Sequence, residues 1–437
     1  MAQWIGETFA SDAGWDHLVR LTDIGSRMAG SEGERVGAEA TRDAFERVGV
    51  RNVRLDEFDL QGWERGDSTL TTSDEDLDCI ALPRSPAATA AGELVDLGYG
   101  TPEDFETTDV DGKVVQVASN MPSHADRLLH RTEKYYLAVE GGAAGFVFRN
   151  HVDGCLPPTG SVGRTDQPIG EIPAVGVSKE VGHRLGRRHC GEQVTVSVSA
   201  DIGPATSQNV HASVGPDTDE RVLVTSHVDG HDVSEGAADN ASGTAMLVAV
   251  AEALSRRADD LDSRVEFVAY GAEEVGLCGS DYHAAQTDES AVRAIVNLDG
   301  VVQGRTLQFF THTFDELEAA VERATGHFNH PARVIPKEGY RGDQWPLVRW
   351  GVPGYFVSGV REAEGRGYGH TAADTLDKLD RRNVNEQAIL LTELAVDLAR
   401  EETEIPHRSE REVAESFREE GRVEGMKLVG DWPYDFE

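Results

Sequence analysis

Residues 222–254 read VLVTSHVDGHDVSEGAADNASGTAMLVAVAEAL, and the pattern changes twice within them. Val222 to Thr225 is an apolar, β-rich run that predicts a buried strand, and small and apolar residues from Ser242 to Ala258 predict a helix. A polar, glycine-containing stretch separates the two. Strand, turn and helix then recur. Strands are expected at 265–270, 294–297, 306–311 and 352–357, and helices at 280–286, 314–326 and 383–401. Such alternation predicts an α/β fold, a doubly wound and mostly parallel sheet with helices on both faces. In that architecture ligands gather outside the carboxyl ends of the strands, so the residues just after each strand are the ones to read for chemistry.

Those residues are unusually rich in metal-binding types. The first strand ends in Ser226-His227-Val228-Asp229, and the helix opens at Asp239-Asn240-Ala241-Ser242-Gly243. The next strands end in Gly271-Ala272-Glu273-Glu274 and in Asp299-Gly300, and Gly369-His370-Thr371 follows a strand containing Tyr355 and Phe356. Histidine and carboxylate without thiolate suit zinc or a divalent ion of similar preference. Two ions explain the count better than one, because a shared Asp gives the sets His, Asp, Asp and His, Glu, Asp. Paired ions of this kind hold a water whose pKa falls toward neutrality. One carboxylate must then stay unligated to accept its proton. Against this stands the plain alternative of solvated carboxylates, which fits most acidic residues but not four that follow apolar strands. His231, placed in a loop, is expected to face solvent; His283 and His312 read as a helix-surface and a strand-end residue, and Cys278 as small-residue packing.

These pieces together resemble the M28 family of co-catalytic zinc exopeptidases: His227-x-Asp229, Asp239-Asn-x-Ser-Gly243, Glu273-Glu-x-Gly-Leu-x-Gly-Ser280, Asp299 and His370-Thr-x-x-Asp-Thr375. The resemblance implies that His227 and Asp299 hold one zinc, Glu274 and His370 the other, and that Asp239 bridges them. It makes Glu273 the general base and Asp229 the carboxylate that orients His227. Two Zn2+ per chain are implied, with Co2+ or Mn2+ as substitutes. Asp23 to Ser31 resembles the opening of many M28 enzymes. Residues 79–200 resemble a protease-associated (PA) domain through Gly112-Lys113-Val114-Val115, Gly141 to Gly145 and Ile172-Pro173-Ala174-Val175. A carboxypeptidase Q-like branch is echoed by Trp63-Glu64-Arg65-Gly66, Asp232-Val233 and Gly342-Asp343. Departures occur at Gln344, where many relatives have His, and at Gly369, where some have an aromatic residue. Tyr340 and Tyr368 are therefore weighed as oxyanion-stabilising groups against ordinary packing.

Working outward, residues 13–60 read as two helices, with Ser31 and Glu34 as a capping box, and then a strand at 53–58. The Ser, Thr and Asp-rich stretch 66–78 reads as a boundary loop, and 79–200 as a β-rich insert. The expected division is 1–78 as the N-terminal part of the catalytic domain, 79–200 as the PA-like insert, 201–402 as the main catalytic domain, and 403–437 as an acidic tail without periodicity that demands burial.

Charge narrows the class further. The 437 residues include 41 Lys plus Arg against 78 Asp plus Glu, a net charge of −37. Only six of the basic residues are Lys, leaving 35 Arg. Nucleic-acid and anionic-membrane binding are disfavoured, since both need a basic surface. Acidic residues spread along the whole chain resemble a halophilic protein, whose self-repulsion molar salt screens by shrinking the Debye length to about 3 Å. The N-terminus lacks signal-peptide character, so a cytoplasmic location is expected. Cys79, Cys155, Cys190 and Cys278 are too scattered for a disulfide framework and are expected as small buried residues. The function expected from the resemblance is a metallo-exopeptidase acting on peptides, foremost an aminopeptidase. The alternatives are a dipeptidase or carboxypeptidase of the carboxypeptidase Q type, a one-zinc cyclase relative, and a non-catalytic scaffold. Homo-oligomerisation is left open.

Overall fold

A computed structural model describes residues 3–361 and 367–436. At its centre the strand Arg221–His227 is hydrogen-bonded in parallel to Arg264–Tyr270 on one side and Val292–Leu298 on the other. Val292–Leu298 pairs in parallel with Gly354–Gly359, and Leu307–Phe310 and Ala332–Ile335 complete that edge. Val222 to His227 are buried without alternation, as a parallel strand covered on both faces requires. The covering helix Ser242–Ser255 is itself buried almost all round, and Leu247, Val250 and Leu254 join the core with Val384, Leu391 and Leu394 of the helix Arg381–Leu398. This mixed, mostly parallel α/β sheet is the expected one.

Arg264–Tyr270 also pairs antiparallel with the long strand Gln193–Val214. That strand forms a ribbon with Arg51–Thr71, registered from Arg51 opposite Ser213 to Thr71 opposite Thr195. The far end of the ribbon continues through Ala88–Asp96 into parallel strands Val114–Ala118, Gly145–Arg149 and Ala174–Val177. The insert is thereby fused to the central parallel sheet along one continuous pair of strands.

Three expectations are corrected here. The polar stretch after residue 66 is not wholly a loop, because strand continues through Thr71: Ser68 to Thr71 pair with Val198 to Thr195, and Leu70 is buried. A backbone partner outweighs polar composition in such a strand. Cys155 and Cys190 are exposed, and Cys79 and Cys278 only partly buried, all four as free thiols. The acidic tail is not loose. Ser409 and Glu412 form a capping box for the helix Glu410–Glu419, and Val413, Ala414 and Phe417 are buried along one face. The Phe417 ring lies 4.9 Å from Trp345 and 6.1 Å from Tyr340. Three apolar positions among charges are a weak signal, yet they suffice once a groove receives them. Val413→Ala is accordingly expected to lower unfolding stability by about 2 kcal/mol in denaturant titration, whereas a solvated tail would leave stability unchanged.

Among the described residues no helix is long and apolar enough to cross a membrane.

Candidate metal centre

The carboxyl ends of three adjacent parallel strands bring His227, Glu273, Glu274 and Asp299 together, and Asp239 before the helix Ser242–Ser255 and His370 beyond the strand Gly354–Gly359 meet them. His227 ends the central strand and is almost wholly buried. Its Nε2 is 3.4 Å from Asp239 Oδ1, 3.9 Å from Glu273 Oε2 and 4.0 Å from Asp299 Oδ1. On the other side of Asp239, His370 Nε2 is 3.1 Å from Asp239 Oδ2 and 3.2 Å from Glu274 Oε2. The two oxygens of one aspartate thus face two imidazoles in opposite directions. Asp229 is fully buried, with Oδ1 3.3 Å from His227 Nδ1. The same carboxylate accepts hydrogen bonds from the Glu273 and Glu274 backbone N–H groups, each at 3.1 Å. One buried acid therefore orients the first histidine and fixes the Glu-Glu turn.

Electrostatics separate the two adjacent glutamates. Burial pushes the Glu273 carboxyl well above the usual carboxylate range, and the charges of Glu274, Asp343 and Asp299 add to it against the opposing pull of His227. Burial also acts to raise Glu274, but the charges of His231 and His370 hold it well below that range. Asp239 is held low in the same way, burial being outweighed by His227 and His370. The arrangement offers one carboxyl with affinity for a proton beside two that favour a cation.

The residues fit a metal ion. Carboxylate and imidazole donors without thiolate suit zinc. His227 Nε2 and Glu274 Oε1 are buried without a hydrogen-bond partner, a condition that ordinary packing avoids. Donor atoms of His227, Asp239 and Asp299 lie within 4.8 Å of one another, as do those of His231, Glu274 and His370. His227, Glu273 and Glu274 form a third such group, so Glu273 borders the same space.

Several supporting residues come from remote segments. Arg27 is buried and donates through Nε to Val228 O at 2.9 Å, and through its two terminal nitrogens to Leu21 O, Glu235 O and Gly236 O at 2.7 to 3.0 Å. It fastens both ends of the loop 228–236. Burial lowers its pKa to about 10, leaving it charged near neutrality. Ser31 caps its helix by accepting from Glu34 N–H, but the expected reciprocal bond is absent. Glu34 instead accepts from Gly30 N–H, Ser207 Oγ and Ala272 N–H at 2.7 to 2.8 Å, bracing the residue before Glu273. Burial, with Asp229 nearby, pushes Glu34 up to about 8. Asp374 accepts from Ala238 N–H and Asp239 N–H at 2.8 and 3.0 Å, and burial raises it to about 6. The insert contributes as well. Thr159 donates its N–H to His370 O at 2.8 Å, and its carbonyl lies 3.3 Å from His370 Nδ1. Arg65 joins insert and loop by pairing with Asp232 at 2.6 Å and reaching Thr159 Oγ1 at 3.2 Å.

Two histidines, His231 and His283, differ from expectation, while His312 follows the strand Leu307–Phe310 as a strand-end residue should. His231 is buried beneath the insert side of the site, at 3% exposure, with Nε2 2.9 Å from Glu274 Oε2. His283 is buried with Nδ1 2.9 Å from the Tyr270 hydroxyl, because its helix packs back on the sheet. His312 is buried with Nδ1 2.9 Å from Glu338. Tyr340 packs against Trp345 and Phe417 with its hydroxyl 3.5 Å from Glu133, while Tyr368 is 48% exposed with Lys378 over its ring. Gln344 is buried and donates to Gly339 O at 2.9 Å. A pocket of about 210 Å3 reaches Glu273, Glu274 and His370, walled by Arg164 of the insert, Arg341 of the catalytic domain and Asp431 of the C-terminal segment.

Comparison with known proteins agrees with this geometry. Residues 209–395 match peptidase family M28, and residues 88–185 match the PA domain. The chain is 25% identical over 411 residues to aminopeptidase YwaD of Bacillus subtilis (strain 168), covering 90% of this chain and 86% of that protein. Among solved structures, an aminopeptidase from Aneurinibacillus sp. strain AM-1 superposes with a TM-score of 0.69 at 25% identity, covering 94% of this chain and 99% of the other. BSAP, a zinc aminopeptidase from Bacillus subtilis, shares the fold with a TM-score of 0.69 at 22% identity over 90% of this chain and 96% of its own. The fold and the clustered donors thus accompany a match to peptidase family M28 over residues 209–395 and to the PA domain over residues 88–185.

Proposed function

We propose that the protein is a dinuclear zinc aminopeptidase that hydrolyses the terminal peptide bond of peptides. The observation that carries this reading is Asp239, whose two carboxylate oxygens face His227 and His370 separately. In this reading His227, Asp239 and Asp299 hold one ion, and Asp239, Glu274 and His370 the other. Zinc, when bound, supplies Lewis-acid polarisation of the scissile carbonyl and lowers the pKa of a water toward neutrality. Glu273 takes the proton that the attacking water gives up and returns it to the leaving amine nitrogen, so that one water is consumed and a carboxylate and an amine are released. The raised proton affinity of partly buried Glu273 suits it to both halves of that transfer. Asp229 keeps His227 in place and presents the Glu273 backbone, and the insert and C-terminal segment shield the pocket from bulk water. Residues 1–78 and 201–402 would form the catalytic unit, 79–200 the insert, and 403–437 the packed C-terminal segment.

A second reading, a dipeptidase of the carboxypeptidase Q type, is favoured by one feature. Arg164, Arg341 and Arg349 line the pocket beyond Glu273 in a chain poor in basic residues, and guanidinium groups suit a substrate carboxylate. A panel of aminoacyl-anilides, carboxyl-blocked peptides and free dipeptides, assayed at molar salt with zinc or cobalt, separates the two. Turnover of anilides and blocked peptides is expected; turnover of free dipeptides alone would select the second reading.

The −37 charge supports work in concentrated salt, inside a cytoplasm that accumulates it. Lowering salt from about 1 M to 0.1 M lengthens the Debye length from about 3 to 10 Å, so activity and near-ultraviolet circular dichroism are expected to decline together. Full activity in dilute buffer would remove the halophilic reading and leave the peptidase one.

A further inference from the structure

The two ion positions of the dinuclear reading are not chemically equal, because one of them borders a third histidine. His231 is 3% exposed, and its ring meets that of His370 at 4.4 Å between centroids and 76° between planes. Both imidazole edges converge on Glu274: His231 Nε2 is 2.9 Å and His370 Nε2 3.2 Å from the same Oε2. Close as it is, His231 is not aligned for a hydrogen bond there, and both of its ring nitrogens are buried without a hydrogen-bond partner. A histidine buried for packing alone finds such partners. Its place is also built rather than incidental. Arg27 holds Glu235 O and Gly236 O behind the loop, and Arg65 clamps the neighbouring Asp232.

We propose that His231 is a further protein ligand of the ion beside Glu274 and His370. The inference rests on the two-ion reading. It gives that position His231, Glu274, His370 and a share of Asp239, against His227, Asp299 and the other share of Asp239 on the opposite side. Zinc accepts such a set, expanding to five-coordination when substrate or water joins. The position with two imidazoles binds its ion more tightly, so the sites fill and empty in a fixed order.

The test is metal binding, independent of turnover. Metal-free wild type, His231→Ala and His231→Gln are titrated with Zn2+ and Co2+ against a competing chelator, and X-ray absorption is recorded on wild type holding one equivalent of zinc. Gln keeps a polar side chain in that space while being a poor zinc ligand. The expected result is that the tighter equivalent weakens by more than about 100-fold in both variants, beyond the 10–100-fold range for a residue acting through a ligand. The weaker equivalent stays unchanged, and the first-bound zinc shows two imidazoles. Should the variants fail to fold, the absorption spectrum of wild type decides alone. Wild-type affinities in both variants, or a first-bound zinc with a single imidazole, would overturn the assignment while leaving the two-ion reading in place. One ion per wild-type chain, still dependent on His231, would retire the two-ion reading and uphold the ligand.

Discussion

Glu273→Gln is expected to bind its metal ions with wild-type stoichiometry and to lose at least about 1,000-fold in kcat, within the 10²–10⁴ range of general acid–base catalysis. The substitution keeps the side-chain volume and replaces the ionisable carboxyl with a neutral amide that cannot accept the proton. Glu273 borders His227 at 3.9 Å, and its donor atoms fall in a group that could itself hold an ion. The variant therefore discriminates between two roles. If Glu273 is the base, metal content is unchanged and turnover collapses. If it is a ligand, metal is lost in parallel with turnover, and the assignment of Glu273 and Glu274 must be exchanged. Burial and neighbouring carboxylates raise the proton affinity of Glu273, whereas Glu274 is held low by His231 and His370. Geometry favours the base at Glu273, because it is the Glu274 carboxylate that meets His231 and His370, at 2.9 and 3.2 Å.

Arg27→Met is expected to cost about 3–5 kcal/mol in unfolding free energy, the range for removing one partner from a buried charged network. Four backbone carbonyls, at Leu21, Val228, Glu235 and Gly236, accept from this one guanidinium. Methionine fills much of the space but satisfies none of them, and each buried carbonyl left without a donor costs about 1–3 kcal/mol. The loop that Arg27 holds carries Asp229 and His231, so weaker metal binding is expected to accompany the loss of stability. Denaturant unfolding of metal-free protein isolates the first effect, and chelator competition the second. A variant as stable as wild type would mean that the loop is held by its other contacts, chiefly Arg65 with Asp232.

The contrast between these two residues explains what could be read in advance. Glu273 and the residues around it were legible because each follows an apolar strand, and strand ends in a parallel sheet point to one edge. His227, Asp239, Asp299 and His370 met there as the alternation predicted. Arg27 carried no comparable signal. Its partners lie up to 209 residues away in the chain, and nothing in an arginine's neighbours tells which carbonyls it will reach. Glu34 was misread for a related reason: the capping pattern around Ser31 was real, but a buried site could offer the carboxylate stronger donors than its own helix. A loop position predicts solvent for His231. The loop is instead covered, since the insert returns to the site at Thr159, where Arg65 ties it to the loop. At 66–71 and 410–417, composition underestimated order because the partner strand and the receiving groove lie elsewhere in the sequence.

The PA domain consequently does more than cover a cleft. Its Thr159 backbone contacts both the carbonyl and Nδ1 of His370; if His370 holds an ion as proposed, such a contact sets the tautomer and angle of its ring. Insert and catalytic domain form one site, joined by the continuous ribbon of Arg51–Thr71 and Gln193–Val214.

The central claim is that Asp239 is shared between two metal ions. Anomalous diffraction at the zinc edge from crystals of the zinc-loaded protein tests it most directly. The account predicts two peaks about 3.5–4 Å apart, one toward His227 and Asp299 and one toward Glu274 and His370, with the Asp239 carboxylate between them. A single peak, or two peaks that do not share Asp239, would contradict it.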